Sequence, residues 1–388
     1  MPDRGLLFSP AFRFALFYGA FYLGFGAYLP YMPVWFESRG LSPEMIGAAA
    51  AAGMAGRVLA APLGALWSDR APRRRDSVIA FAAAALLLLL AFEPARSPWL
   101  IVALAGLAGA AVTGVIPLID AFAMGEARRV GFAFGPARAI GSATFIVGNI
   151  GCGALISRLG GEAALAWAAA GAGAALLAAI ALPAGRREAG APRPSAFSGA
   201  SALLGGGLPL AFAASALIQG AHGFYYGFSA VAWRAQGVSG EAVGALWATG
   251  VAAEIVFFAL STRVFRRWSP AGLMALGGAA SLARWGLLAL SPPLVLLFPL
   301  QCLHAFTFAA TYLGFLRHAS AHAPERFAAT AQAINSALSG GLVLAGATLA
   351  SGIAYGAFGA GGFALMAAPA GVGLGLALVL ARRGAKAS

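Results

Sequence analysis

The sequence predicts an all-α integral membrane protein built as two related six-helix bundles. Three observations lead there. Of 388 residues, 60% are hydrophobic and only 10% charged, with a mean hydropathy of +0.82; a soluble domain carries about 25% charged residues. Apolar segments longer than the ~18 residues of a membrane helix recur along the whole chain. The two halves also echo each other at a constant offset of 197 residues.

The pattern gives about twelve spans. The first, 11–36, carries Tyr18, Tyr22 and Phe25 on one helix face, an i, i+4, i+7 stripe with hydroxyls deep in the span. Residues 43–67 hold Arg57, 77–92 hold no charge, and 98–123 hold Asp120. The fifth span, 134–157, opens with Arg138, and 162–183 completes the first half. The stretch AGRREAGAPRPSAFSGASALLGGG then breaks the pattern, polar and rich in Pro, Gly and Ser, as a cytoplasmic linker would be. The second half resumes with 209–233, which carries Gln219, His222, Phe224, Tyr225, Tyr226 and Phe228. Trp247 and Glu254 lie in 240–263, Arg284 in 271–290 and His304 in 293–316, followed by 326–352 and 358–381. The expected organisation is a first bundle over 1–183, a linker over 184–208 and a second bundle over 209–388. No stretch alternates at period two over the roughly ten residues of a barrel strand, so a membrane β-barrel is excluded.

The net charge of +13 does not mark a nucleic-acid binder, because of where it falls. Nineteen of the 26 basic residues lie in loops and tails on one side, and four, Arg39, Arg96, Arg158 and Arg234, on the other. This positive-inside asymmetry predicts that both termini are cytoplasmic, in a bacterial-type inner membrane. The other three, Arg57, Arg138 and Arg284, fall inside spans. Cys152 and Cys302 also sit within spans and form no disulfide framework. His318 and His322 are spaced i, i+4, but no third ligand is in sight. The first apolar run is too long for a cleaved leader and eleven more spans follow it.

The internal echo is specific where it matters. LSPEMIGAAAAAGMAGR, 41–57, aligns with VSGEAVGALWATGVAAE, 238–254, and places Arg57 opposite Glu254. Each lies twelve residues from a cytoplasmic charge, Asp69 and Arg266, hence ~18 Å into a ~30 Å hydrocarbon layer. His222 and His304 come out at similar depth. Charges there face a bundle interior or a cavity, and they mark substrate or proton pathways. Glu254 is therefore the leading proton-site candidate, with Arg57 as partner for an anionic substrate or, in an empty carrier, for Glu254 itself. For Asp120 with Arg138, near one end of consecutive helices, a packing ion pair and a binding pair are both open.

ALWSDRAPRRR, 65–75, resembles the loop signature of the major facilitator superfamily. Asp69, Arg70, Arg73, Arg74 and Arg75 match, while Ala65 stands where that family has Gly and Pro72 replaces a second Gly. The resemblance implies a charged latch at a cytoplasmic gate. GAYLPYMPVW, PLIDAF, FGPARAIGS and LQCLHAF resemble the lactose-permease branch. That likeness implies a substrate pair, Asp120–Arg138, and a coupling pair, Arg284 and His304. The acid one turn after the histidine in that branch is absent, with Thr307 in its place. LIQGAHGFYYGFSAVAW and VGALWATGVAAEIVFFAL, 217–233 and 243–260, are most similar to the 3-phenylpropionate transporter family, which shares the Gln, His, paired Tyr and mid-helix Glu.

These likenesses imply a secondary active transporter that takes up an aromatic carboxylate with protons by alternating access. The proton is the coupling ion, and no other cofactor or metal is expected. Gln219, His222, Tyr225, Tyr226, Trp247, Tyr18 and Tyr22 are the expected lining for an aromatic ring. The lipid bilayer and a small molecule are the expected partners, nucleic acid is not, and a monomer is expected. A sugar or nucleoside symporter and a drug/proton antiporter of the same fold remain alternatives. No nucleotide loop, metal constellation or nucleophile–base arrangement suggests an enzyme.

Overall fold

A computed structural model describes residues 9–68, 71, 73–185 and 203–387. Most of the expected linker, together with Asp69 and Arg70 of the expected latch, lies outside the described residues. The rest is helical, with no strand among the described residues. The chain forms two compact units. One comprises residues 1–191 with 233–248; the other comprises 192–232 with 249–388.

The first unit contains α1 (Pro10–Ser38), α2 (Pro43–Ser68), α3 (Arg74–Ala91), α4 (Pro98–Val130), α5 (Phe134–Leu159) and α6 (Glu162–Ala181). Its long contacts pair α2 with α4, and α1 with both α5 and α6. Small residues set these approaches, because lipid supplies no hydrophobic drive between helices and close backbone packing must do so. A Cβ on Gly26 of α1 would run into the Phe145 carbonyl of α5, and one on Gly148 would meet the Leu23 carbonyl. Gly53 and Gly109 bring the backbones of α2 and α4 together in the same way. At the end of α6 the chain returns to α3, whose first free N–H, that of Arg74, donates to the Gly185 carbonyl at 3.1 Å.

The other helices are α7 (Leu208–Gly220), α8 (Gly223–Ala235), α9 (Gly240–Val264), α10 (Pro270–Ala289), α11 (Leu294–Cys302), α12 (Thr311–His322), α13 (Ala328–Ala337), α14 (Leu344–Phe358) and α15 (Ala367–Ala387). Among the described residues these fifteen helices fall on the twelve expected spans, three of which contain two helices each. The stretch Thr330–Arg383, 54 residues, would run ~80 Å if straight, far beyond a ~30 Å bilayer. Gly359, at φ +54°, turns it into two passes, and only glycine enters that conformation without strain.

The repeat seen in the sequence recurs in the helix starts. α2 begins at Pro43 and α9 at Gly240, the same offset of 197. Each is preceded by a serine whose Oγ accepts from an N–H three residues on, Ser42 from Met45 at 3.4 Å and Ser239 from Ala242 at 3.3 Å. Glu44 and Glu241 then sit in the first turns, where the helix dipole favours a negative charge.

Candidate transport site

Two polar clusters lie inside the apolar framework, one in each unit. In the first unit, Tyr18 and Tyr22 stand one turn apart on α1, Asp120 lies late in α4, and Arg138 lies in the first turns of α5. The Tyr18 hydroxyl donates to Asp120 Oδ1 at 2.7 Å, and Arg138 Nε approaches the same oxygen at 3.5 Å. Arg138 NH2 donates to the Tyr22 hydroxyl at 2.6 Å, while its guanidinium stacks 4.4 Å from the Tyr22 ring. Gly141, one turn after Arg138, makes room for this stack, since a Cβ there would strike the Tyr22 ring. The result is a neutral, partly open ion pair framed by two aromatic hydroxyls.

The second cluster is deeper. Arg284 of α10 is fully buried, and its guanidinium lies 4.7 Å from the rings of both Tyr225 and Trp285. Arg284 NH1 reaches His304 Nδ1 at 3.1 Å and the Thr307 hydroxyl at 3.2 Å, and NH2 donates to Gln301 Oε1 at 2.7 Å. On its other side His304 presents Nε2 to Glu254 Oε2 at 3.6 Å. Thr307 Oγ1 also lies 3.0 Å from His222 Nε2, and His222 Nδ1 donates to the Gln219 carbonyl at 2.8 Å. The rings of Tyr225 and Tyr226 pack on this pair of histidines.

Two interruptions of helix place these groups. The seventh span breaks at Ala221 and His222, where the His222 ring takes the Gln219 carbonyl that would otherwise continue the helix. Gly220 and Gly223 flank the break, pressed against Val343 and against the Ala347–Thr348 backbone. The tenth span loosens into a π-helical turn at Ala305–Ala310, directly after His304, and this carries Thr307 to the same side. Such turns cost hydrogen-bond quality and tend to occur at functional sites.

Other expected residues stand outside the side-chain hydrogen bonds of these two clusters. The Gln219 side chain bonds back to Ser215, Nε2 to Oγ at 3.1 Å, so its carbonyl rather than its amide joins the cluster. Arg57 is on the exposed side of α2, and Trp247 is buried near the start of α9 in the first unit. Arg73 makes a loose surface pair with Asp76 at 3.7 Å, a contact worth little in stability. Gln301 and Trp285 were not singled out from sequence. The signal for Gln301 is a lone amide in an apolar span, three residues before His304 and so about one helical turn from it. Its Nε2 has no hydrogen-bond partner among the described residues.

Comparison with known proteins fixes what this framework is. The description "MFS_1 like family" matches residues 11–365. The chain belongs to this family. It is therefore a multi-pass membrane transporter for small molecules, not an enzyme. It is 33% identical over 360 residues to the probable 3-phenylpropionic acid transporter of Escherichia coli (strain K12), covering 91% of this chain and 93% of the relative. In fold, this MFS_1-like chain superposes on the nucleoside transporter NupG with a TM-score of 0.84 at 14% identity, covering 96% and 98% of the two chains. A bacterial homologue of the human lysosomal transporter Spinster, captured inward-facing and occupied, gives 0.69 at 14% identity, with 96% of each chain covered.

Proposed function

We propose that the protein is a proton-coupled symporter that takes up a small aromatic carboxylate by alternating access. The observation that carries this reading is the line Glu254–His304–Arg284 in the second unit, in which His304 and Arg284 are buried and Glu254 is partly exposed. Within residues 192–232 and 249–388 only Glu254 and Glu325 are acidic, and Glu254 is the one that approaches His304, the partner of Arg284. With Glu254 ionised the line is neutral overall. With Glu254 protonated, the buried Arg284 charge loses its counterpart, and a substrate anion nearby becomes favourable. Proton and carboxylate therefore bind together and leave together, which is symport.

In the first unit Arg57, mid-span and exposed on α2, is proposed as a separate anchor for a carboxylate, since a guanidinium grips a carboxylate in bidentate fashion. In the second unit Tyr225 and Tyr226, whose rings pack on the two histidines, are the proposed surface for the aromatic ring, and in the first unit Tyr18, Tyr22 and Trp247 are proposed as substrate contacts. The relative named a probable 3-phenylpropionic acid transporter supports this substrate class. The distribution of its basic residues supports cytoplasmic termini, and we propose that the protein works as a monomer in the inner membrane.

Proteoliposome uptake tests the reading. Phenylpropionate-like acids should accumulate under an inward proton gradient, and Glu254→Gln should abolish accumulation while leaving substrate exchange. Accumulation by Glu254→Gln with lost affinity would overturn the coupling role. The competing reading, a sugar or nucleoside symporter centred on the Asp120–Arg138 pair, predicts uptake of those solutes and loss of all binding in Asp120→Asn.

A further inference from the structure

The second cluster contains three histidine-directed contacts whose donor and acceptor roles are fixed by chemistry. An arginine guanidinium has N–H donors and no acceptor. Because Arg284 NH1 lies 3.1 Å from His304 Nδ1, that nitrogen must be the bare acceptor. The ring proton of His304 is then on Nε2, the atom that faces Glu254 Oε2 at 3.6 Å. A protonated His304 would carry N–H groups on both nitrogens and set Nδ1–H against the N–H of Arg284, with no acceptor between them.

His222 is held the other way round. A carbonyl oxygen only accepts, so the 2.8 Å contact with Gln219 requires Nδ1–H on His222. Nε2 is left to accept from the Thr307 hydroxyl at 3.0 Å. That hydroxyl in turn accepts from Arg284 NH1 at 3.2 Å. The two hydrogens of one guanidinium nitrogen thus fix both rings, one directly and one through Thr307. Protonating His222 would place its charge one hydroxyl away from Arg284.

We propose that His304 is a permanently neutral positioning residue that presents Nε2–H to Glu254, and that the transported proton resides on neither histidine. This rests on Glu254 being the proton site. The charged and titratable groups facing His304 are Glu254 from α9, Arg284 from α10, His222 from the break between α7 and α8, and Tyr225 from α8. Of these four, Glu254 is the one that sets an acceptor oxygen toward His304 Nε2. The role of His304 is to hold the carboxyl at one place and to transmit its charge state to Arg284. In this chain Thr307 fixes the second ring with a hydroxyl.

The test is His304→Gln in proteoliposomes. Glutamine offers an acceptor and a donor but cannot take up a proton. A histidine on the proton path should cost about 10²–10⁴-fold in gradient-driven uptake when replaced. A positioning histidine should leave the accumulation ratio intact in His304→Gln, with a lower initial rate, and lose it in His304→Leu. Loss of accumulation in His304→Gln with exchange retained overturns the proposal. Nitrogen NMR of histidine-labelled wild-type protein provides a second arm that needs no variant. A bare Nδ1 on His304 that does not titrate from about pH 5 to 8 supports the proposal, and a titrating ring overturns it. Failure of the Glu254 reading is separate: Glu254→Gln would then keep gradient-driven accumulation, whatever the ring signals show.

Discussion

The Tyr18 hydroxyl and Arg138 Nε converge on the same carboxylate oxygen of Asp120, at 2.7 and 3.5 Å. A carboxylate that spends one oxygen on a tyrosine and an arginine of its own bundle is already committed, which favours a role in holding α1, α4 and α5 together. Asp120→Asn should therefore retain transport of an aromatic acid and lower the melting temperature of the detergent-solubilised protein. Removing one partner leaves the other charge uncompensated, so Asp120→Ala combined with Arg138→Ala should cost less than the two single changes added. A thermal double-mutant cycle measures this coupling, expected at about 1 kcal/mol for a partly open pair.

Arg57→Ala should weaken substrate binding without removing the proton step. Charge-assisted hydrogen bonds contribute ~1.5–3 kcal/mol, so affinity should fall by about 10–100-fold. Arg57→Lys should restore only part of it, since an ammonium does not reproduce the fork. Binding measured by tryptophan fluorescence or calorimetry checks both, and unchanged affinity in Arg57→Ala would remove Arg57 from the site.

Thr307→Val is close to isosteric and removes the hydroxyl shared by Arg284 and His222. A buried group left without its partner costs about 1–3 kcal/mol. The variant should melt lower and transport more slowly, with its proton coupling intact, and Thr307→Ser should recover both properties. Parallel melting and uptake curves for the three proteins decide it.

Gly148→Val should disrupt the first unit as a whole. The added side chain has no space against the Leu23 carbonyl of α1, and backbone cannot move aside as a side chain can. Overpacking of this kind costs about 1–3 kcal/mol. Reduced membrane abundance and a lower melting temperature are expected. The same change at Gly173, around which the space is open, should have little effect.

Much of this protein was legible in its sequence. Hydropathy runs longer than a bilayer is thick specified the helices, because an unpaired backbone cannot stay in hydrocarbon. The 197-residue echo located the equivalent serine-capped starts of α2 and α9. Intramembrane Asp120, Arg138, Glu254, Arg284 and His304 could be named from cost alone, since charge at such depth is seldom incidental. What pairs with what was not legible. Whether Asp120 meets Arg138 or Glu254 meets His304 depends on how helices far apart in sequence are rotated and packed.

The sequence by itself determined the helical, membrane-spanning class, the repeated halves and the short set of charged residues inside the spans. These follow from composition and period, which act locally. Tertiary structure alone decided the break at His222 and the π turn after His304. It also decided that Gln219 contributes a carbonyl rather than its amide, and that Gln301 and Thr307 accept from Arg284. The physical reason is that a buried guanidinium draws acceptors to its N–H groups, and only the packed helices determine which acceptors lie within reach: here NH1 and NH2 are met, while Nε has no hydrogen-bond partner among the described residues.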